Sequence, residues 1–473
     1  MYKVLIRPLR ISDAQISFKW RNDPKIWELT GSKPKQEITH EIELDWIQKA
    51  IADKTTKRFA ILVDDVYVGN IQLTDIIEYD TAQYHVFIGD RNYWGKGIAK
   101  LATNQILYYA KVVLGLKNIF LMVRKENFSA IKVYKKNGFK TVNEKEDWIK
   151  MNCDISQLET TTASVFVMVY NHEKYIAECL EGILMQKCNF NFDIVVGEDC
   201  STDKSREILL EYQNRYPGKF KLLLHETNIG AANNQMEVFK NCKGKYIAMC
   251  EGDDYWIDPL KLQTQVDFLE ANEDYVLIHS DIFLKNSSGD NIKSARNTIS
   301  KIIRWSKNND SNVVKYLVKG NYIMTLTVLI TKNALFKALK KITENDNEIA
   351  TIDYTIFLEL SKLGKIHYQQ EKTAVYRILP NSASNNTDLD ARLSYIESTI
   401  NISRFYNQKF TVGICKLYFD RVQLSAQLYE FAKRGLVIKC ISTFYRGIKS
   451  DKLNILRLKN YYYFIVLIVS KIK

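Results

Sequence analysis

The chain's 473 residues are 46% hydrophobic and 26% charged, which is too much for one ordinary core, argues for two or three domains and excludes wholesale disorder. The formal net charge of +13 is unevenly placed: from Asn401 to Lys473 there are 14 Lys and Arg against three Asp and Glu, so +11 of the total belongs to that stretch. The rest of the chain is nearly neutral and the basic stretch carries no recognised nucleic-acid module, so nucleic acid is not an expected partner; an anionic membrane surface or an acidic partner is. The eight cysteines (Cys153, Cys179, Cys188, Cys200, Cys242, Cys250, Cys415 and Cys440) form no Cys-x-x-Cys pair, which argues against zinc. The residues after Met1 lack the apolar core of a secretory signal, and free thiols in a cytoplasmic setting are the expectation.

In chain order, residues 1–155 read as one α/β domain. Phe59 to Val63 and Val66 to Leu73 are strands joined at Asp64-Asp65, and Tyr84 to Ile88 is a third strand. Ile98 to Val113 has helical periodicity, Ile119 to Val123 is a further strand, and Phe128 to Asn137 is a helix stopped by Gly138. Between the third strand and the first of these helices stands Trp94-Gly95-Lys96-Gly97-Ile98-Ala99. Small residues there let a backbone approach a bulky anion, and the unpaired N–H groups of the helix start attract phosphate.

That segment resembles the pyrophosphate-binding loop of the GNAT acetyltransferases. Gly97 and Ala99 match the family pattern, and Trp94 replaces its usual Gln or Arg. Asn127-Phe-Ser-Ala-Ile-Lys-Val-Tyr134-Lys-Lys-Asn-Gly138-Phe139 matches the family's second half. The resemblance implies acetyl-CoA held by the loop and by Asn127, with Tyr134 protonating the departing thiolate. Some relatives carry a Glu base at the position of Gln83; Gln cannot accept a proton, so His85, Glu78 or a water chain must serve, and His85 shares the strand face of Gln83. Phe18-Lys-Trp-Arg-Asn-Asp-Pro24 is similar to acetyltransferases of nucleotide-linked amino sugars, or is simply a helix end terminated by Pro24.

After a polar linker, Ser156 to Thr162, the pattern changes. Strands at Ser164–Val169, Asp193–Gly197, Lys221–Leu224 and Tyr246–Met249 alternate with helices from Tyr175, Lys204 and Ala231. This spacing predicts a parallel sheet with helices on both faces and ligands beyond the carboxyl ends of its strands. The polar motifs fall there: Tyr170-Asn171-His172-Glu173, Glu198-Asp199, Asn228-Ile-Gly230 and Glu251-Gly252-Asp253-Asp254. Carboxylates crowded at a strand end favour a cation, and Mg²⁺ or Mn²⁺ suits carboxylates shared with substrate phosphates.

Together these motifs resemble the inverting family 2 glycosyltransferases of GT-A fold, from about Thr162 to Asn386, within a domain expected over residues 162–400. The resemblance implies that Tyr170, Asn171, Glu173, Glu198 and Asp199 line the pocket of a nucleotide sugar, UDP-linked by family habit. Asp253 and Asp254 would then hold the metal and diphosphate, and Asp353 would be the base that deprotonates the acceptor hydroxyl. Asp203 would cap the next helix. Arg377, in Tyr376-Arg377-Ile378, would pair with phosphate or form a structural ion pair.

Residues 401–473 read as a helical, basic tail. Its apolar run Tyr461 to Val469 is too short to span a bilayer and is either an interfacial anchor or a helix docked on the core. The fold class expected is therefore α/β: a GNAT domain, a Rossmann-like GT-A domain with a mostly parallel sheet, and the tail. The combined expectation is a bifunctional enzyme of surface-glycan synthesis at the inner face of a membrane. It would N-acetylate an amino sugar and transfer a sugar from its nucleotide to a glycan or lipid-linked acceptor. The alternative is an N-terminal half that acetylates proteins or is a degenerate binding module.

Overall fold

A computed structural model describes residues 2–28, 34–156, 161–286, 289–290, 313–344, 352–380, 382, 386–436 and 438–443. The chain divides into two compact units, Met1–Phe268 and Leu269–Lys473. This division departs from the expected boundaries at 155/162 and 400/401.

The first unit opens with β1 (Val4–Pro8), α1 (Ala14–Arg21), α2 (Pro24–Trp27) and α3 (His40–Ala52). There follow β2 (Lys57–Val63), β3 (Val66–Ile77), β4 (Thr81–Ile88), α4 (Ile98–Val112), β5 (Asn118–Arg124), α5 (Phe128–Lys136), β6 (Lys140–Lys145) and β7 (Trp148–Asp154). The sheet order is β1-β2-β3-β4-β5-β7-β6. The β2–β3 hairpin turns on Asp64 and Asp65, both left-handed (φ 47° and 68°), the two-residue geometry that matches strand twist. Helix α5 ends as expected at Gly138 (φ 88°), where the Gly138 N–H donates to Lys135 O (3.1 Å) and the Phe139 N–H to Tyr134 O (3.1 Å), a Schellman stop. The apolar faces of α4 (Ile98, Ala102, Ile106, Ala110) and of the strands close one core.

One register decides where this domain can hold a ligand. Strands β4 and β5 are parallel and pair only through Thr81–Gln83 against Asn118–Phe120. Beyond those residues β4 continues to Ile88 and β5 to Arg124 without pairing, so the sheet opens into a cleft. On its other side β5 stays paired with β7, which sets Arg124 directly against Trp148.

The unit continues with β8 (Ala163–Val169), α6 (Ile176–Leu184), β9 (Phe192–Glu198), α7 (Ser205–Arg215), β10 (Phe220–Leu224), α8 (Ala231–Asn241), β11 (Tyr246–Glu251), β12 (Tyr255–Trp256) and α9 (Lys261–Ala271), the last running across the division. Strands β10-β9-β8-β11 lie in that order and are all parallel, as the alternation predicts. The runs of β8, β9 and β11 are buried on both faces, the signature of a sheet covered by helices, whereas β10 at the edge is partly exposed. The order reverses between β8 and β11, which marks the ligand crevice.

The two sheets of the first unit touch through α4. Tyr108 Oη donates to Asp193 Oδ2 (3.4 Å), Asn191 Nδ2 donates to Asn104 O (3.0 Å), and Lys187 Nζ pairs with Asp64 (3.0 Å). A Cβ on Gly218 would lie 3.4 Å from the side chains of both Tyr109 and Val113. Burial at this seam pushes the Asp193 carboxyl above its usual range.

The second unit contains β13 (Tyr275–Asn286), α10 (Val313–Lys319), β14 (Leu329–Thr331), α11 (Lys332–Thr343), α12 (Ile352–Leu363), β15 (Lys365–Ile378), α13 (Leu389–Lys409) and α14 (Lys416–Lys433). Strand β13 pairs antiparallel with β14 and parallel with β15. The helical segment begins at Leu389, where the Asp388 side chain accepts from the Ala391 N–H, so a boundary at 400/401 would cut an unbroken helix. Nor is this segment an appended tail as far as it is described. Tyr354 Oη meets Ser403 Oγ (2.9 Å), and Arg404, Lys409 and Arg392 are spent on Asp420, Glu359 and Glu430. The apolar run Tyr461–Val469 lies outside the described residues. Among the described residues no helix is long and apolar enough to cross a membrane.

Gly182 in α6 faces the backbone of β12: an added Cβ would come within 2.7 Å of Trp256 O and 2.9 Å of Trp256 N. Backbone cannot swing aside as a side chain can, so Gly182→Ala is expected to cost roughly 1–3 kcal/mol by overpacking. Thermal denaturation should show a lowered midpoint for the variant.

Candidate functional sites

The cleft between β4 and β5 has a volume of about 460 Å³. Tyr134, Asn127 and His85, separated by sequence, all line it. Tyr134 is 9% exposed, and burial pushes its hydroxyl up to about 12, so it stays protonated at neutral pH. His85 Nε2 lies 2.9 Å from Thr74 Oγ1, and burial lowers its pKa, which favours the neutral ring that can accept a proton. Glu78, the other carboxylate considered as a base, sits exposed in the β3–β4 turn and does not line the cleft; neither does Gln83. Asn127 Oδ1 accepts from the Ala130 N–H and caps α5, so its oxygen is committed and its amide nitrogen is the group offered to a ligand.

The loop before α4 has the form its sequence demands. Gly95 and Gly97 are left-handed (φ 71° and 77°), and a Cβ on either would meet nothing within 4 Å, so conformation rather than crowding selects glycine. Gly97 caps α4 with no side-chain hydrogen bond, which leaves the N–H groups at Ile98 and Ala99 without a side-chain acceptor. Lys96 Nζ is held over the rings of Tyr2 and Tyr93 (5.6 and 5.5 Å), adding positive charge to the loop. Trp94 pins it: the indole N–H donates to Ile88 O at 2.8 Å.

Sequence reasoning missed the cleft's outer wall. Arg21 stacks on Trp27 (5.8 Å) and Trp46 (4.7 Å), and Arg124 on Trp148 (5.3 Å). The Phe18–Pro24 segment therefore does more than end a helix. Trp20 fills the core so tightly that a Cβ on Gly89 would fall 2.1 Å from its ring, while the adjacent Arg21 faces the cleft. A Trp-Arg pair two residues before Asp-Pro was the available signal.

In the parallel sheet, the strand-end loops are tied to one another. The Asn171 N–H donates to Ser201 Oγ (3.0 Å), and Asn171 Oδ1 accepts from the Thr202 N–H (2.8 Å). The left-handed turn at Asn171 (φ 57°) aims both groups across the gap. Glu173 Oε2 accepts from the Lys204 N–H (3.1 Å), and the Glu173 N–H donates to Asp203 Oδ2 (2.9 Å). Asp203 also accepts from the Ser205 N–H (2.9 Å), which makes it a brace for two loops, and these hydrogen bonds lower its pKa against the opposing effect of burial. Tyr170 stands exposed at the crevice.

The paired acids divide their work. Glu198 is fully buried; Oε1 accepts from the Ser201 N–H (2.6 Å), and Oε2 is bound by Arg206, whose guanidinium also reaches His225 O. Both its oxygens are thus committed within the protein. Asp199 Oδ1 accepts from the Ile229 N–H (2.7 Å), and no hydrogen bond within the described residues uses Oδ2.

The acidic turn after β11 is drawn against β8. A Cβ on Gly252 would come within 2.7 Å of His172 Nδ1 and 2.9 Å of Met168 O, so only glycine lets Asp253 sit this close to the Tyr170–Glu173 loop. Asp253 is partly exposed, whereas Asp254 is 1% exposed. Among the described residues no group of three or more His, Cys, Asp or Glu is arranged to hold a metal ion.

In the second unit, Asp353 starts α12, and its Oδ2 accepts from Thr325 Oγ1 (3.2 Å). Burial pushes its carboxyl above the usual range, more than the Tyr354 N–H and Thr325 bring it down. Arg377 is buried on β15.

Residues 3–140 match the family model described as Acetyltransferase (GNAT) domain, and residues 164–315 match Glycosyl transferase family 2. The chain therefore carries a GNAT domain followed by a family 2 glycosyltransferase domain. An uncharacterized protein of Mycobacterium tuberculosis is 30% identical over 214 residues, 45% of this chain and 58% of the relative, so the chain spans a little over half of that relative's length. The putative teichuronic acid biosynthesis glycosyltransferase TuaG of Bacillus subtilis is 26% identical over 225 residues, 47% of this chain and 81% of TuaG. Among solved structures, the spermidine N-acetyltransferase from Vibrio cholerae in complex with CoA and spermine is 23% identical, covers 33% of this chain and 97% of that one, with a TM-score of 0.30.

The Glu198–Arg206 pair is the brace most easily tested. Arg206 is 34% exposed, so Arg206→Gln should cost less than a fully buried pair, roughly 2–4 kcal/mol. Adding Glu198→Gln should recover part of that loss in a urea-denaturation cycle, because the stranded charge is then gone.

Proposed function

We propose that the chain is a bifunctional transferase of surface-glycan synthesis. Its first domain moves an acetyl group from acetyl-CoA to the amine of a nucleotide-linked amino sugar. Its second moves a sugar, with inversion, from a UDP-linked donor to a glycan or lipid-linked acceptor in a reaction that needs a divalent metal. The observation that carries the reading is the convergence of each motif set: Tyr134, Asn127 and His85 in one cleft of about 460 Å³, and the linked Tyr170, Asp199 and Asp253 loops at one sheet edge.

In the first domain the loop Gly95–Ala99 and the N-terminus of α4 bind the pyrophosphate of acetyl-CoA. His85 takes the proton of the attacking amine. The amine nitrogen bonds to the acetyl carbon, the carbon–sulfur bond breaks, and Tyr134 donates its proton to the thiolate.

In the second domain Asp199 reads the nucleobase and Tyr170 lines the pocket. Asp253, with Asp254 behind it, would hold Mg²⁺ or Mn²⁺ together with the donor's diphosphate. The donor set is all oxygen and leaves positions for phosphate, which fits ions that rarely use an all-protein cage. Bound there, the metal supplies Lewis acidity to the leaving diphosphate. Asp353 removes the proton of the acceptor hydroxyl, whose oxygen attacks the anomeric carbon from the face opposite the diphosphate. The tail's excess of Lys and Arg suits work beside the anionic inner face of a membrane.

Asp253→Asn should abolish release of the nucleoside diphosphate while CoA release continues; joint loss of both would refute two independent sites. Tyr134→Phe should lower kcat for CoA release by about 10²-fold or more, with little change in the KM for acetyl-CoA. The two pH profiles should differ. A raised Asp353 pKa means sugar transfer falls with acidification at a pH above the ordinary carboxylate value of about 3.9. A lowered His85 pKa means acetyl transfer persists below the ordinary imidazole value of about 6.5 and is lost only as the pH falls through the depressed value. Initial rates of each half-reaction across pH 4–8 measure both.

A further inference from the structure

Resting on the acetyl-transfer reading above, we propose that Arg124 and Trp148 form an anion-and-ring subsite in the acetyl-acceptor cleft. It selects amines carried on a phosphate-bearing aromatic group over neutral amines and polyamines.

Three observations place it. The first is register. Arg124 on β5 is the direct cross-strand partner of Trp148 on β7, and the guanidinium lies 5.3 Å from the indole centroid. Both residues line the cleft that holds Tyr134 and Asn127. The second is charge. Arg21, the other guanidinium lining the cleft, is already opposed by Glu43, with Nε 3.5 Å from Oε2. Arg124 has no ion pair among the described residues, and its Nε is buried without a hydrogen-bond partner. The neighbouring Glu144 is taken by Lys125 (3.5 Å). The third is composition. None of the described residues lining the cleft is Asp or Glu. A polyamine would enter a positive cavity with no counter-charge, whereas an anion meets an arginine whose planar fork matches phosphate.

The indole adds the aromatic preference. A guanidinium stacked on a tryptophan keeps its in-plane N–H donors free for phosphate while the ring edge and neighbouring aromatic wall receive a base. Arg124 thus touches the carrier, not the reacting amine, and acts as a specificity-determining residue.

The test uses the full chain and CoA release, with three acceptors: a UDP-linked amino sugar, the same amino sugar free, and spermidine. The wild type should favour the linked sugar and leave spermidine unreacted. In Arg124→Gln the ratio of kcat/KM for linked over free sugar should fall at least tenfold, mostly through KM, and Arg124→Lys should retain part of the preference. An unchanged ratio, a preference for spermidine, or a rise confined to the KM for acetyl-CoA would overturn the subsite. If no amine is acetylated, the acetyl-transfer reading fails by itself. The subsite is then decided by equilibrium dialysis of UDP, in EDTA, on a chain carrying Asp199→Asn and Asp253→Asn to disable the second domain. A tenfold loss of affinity on adding Arg124→Gln supports it, and equal affinity removes it.

Discussion

A carboxylate buried at the end of a parallel strand cannot stand alone, and Glu198 is such a group. Its partner Arg206 comes from the first turn of the next helix and also holds the carbonyl of His225 at the end of the neighbouring strand. Parallel strands deliver all their carboxyl ends to one edge, where loop backbone would otherwise lie unsatisfied. The Glu198–Arg206 pair, with Asn171 and Asp203, closes that edge by joining loops to one another rather than to solvent. A strand-end edge braced this way is ordered before any ligand arrives, and less binding energy is lost to ordering it.

The acetyltransferase cleft rests on the opposite device, a deliberate failure of pairing. Once β4 and β5 part after Gln83, the sheet offers a wedge walled by side chains of both strands, His85 and Phe87 on one and Met122 and Arg124 on the other. One site is made by fastening loops together and the other by letting two strands separate. Each needs its glycines for a different reason: Gly252 for close approach, Gly95 and Gly97 for left-handed backbone.

Much of this was legible in the residues. Strands with unbroken apolar runs, such as Ala163–Val169, and helices with clear stops, such as the one ended by Gly138, fall within a residue or two of their expected places. What escaped reading depended on contacts distant in sequence. Strand β15 is interrupted by Gln369-Gln370-Glu371-Lys372 and loses the alternation that marks a strand. Helix α13 carries little periodicity, so its start at Leu389 is visible only through the Asp388 cap. Adjacent Glu198 and Asp199 look equivalent until Arg206 commits one of them. Arg124 and Trp148 stand far apart in the chain and become neighbours only through the β5–β7 register.

Helix α4 belongs to both halves of the first unit: its N-terminus continues the Gly95–Gly97 loop, and its later turns meet the start of β9 and the turn before β10. Severing the chain between Asp154 and Thr162 would leave Tyr108 and Tyr109 facing water on one fragment and Phe192 and Gly218 on the other. A seam of this kind makes the two domains dependent on each other's surfaces, so parting them would call for compensating changes on both sides of the cut.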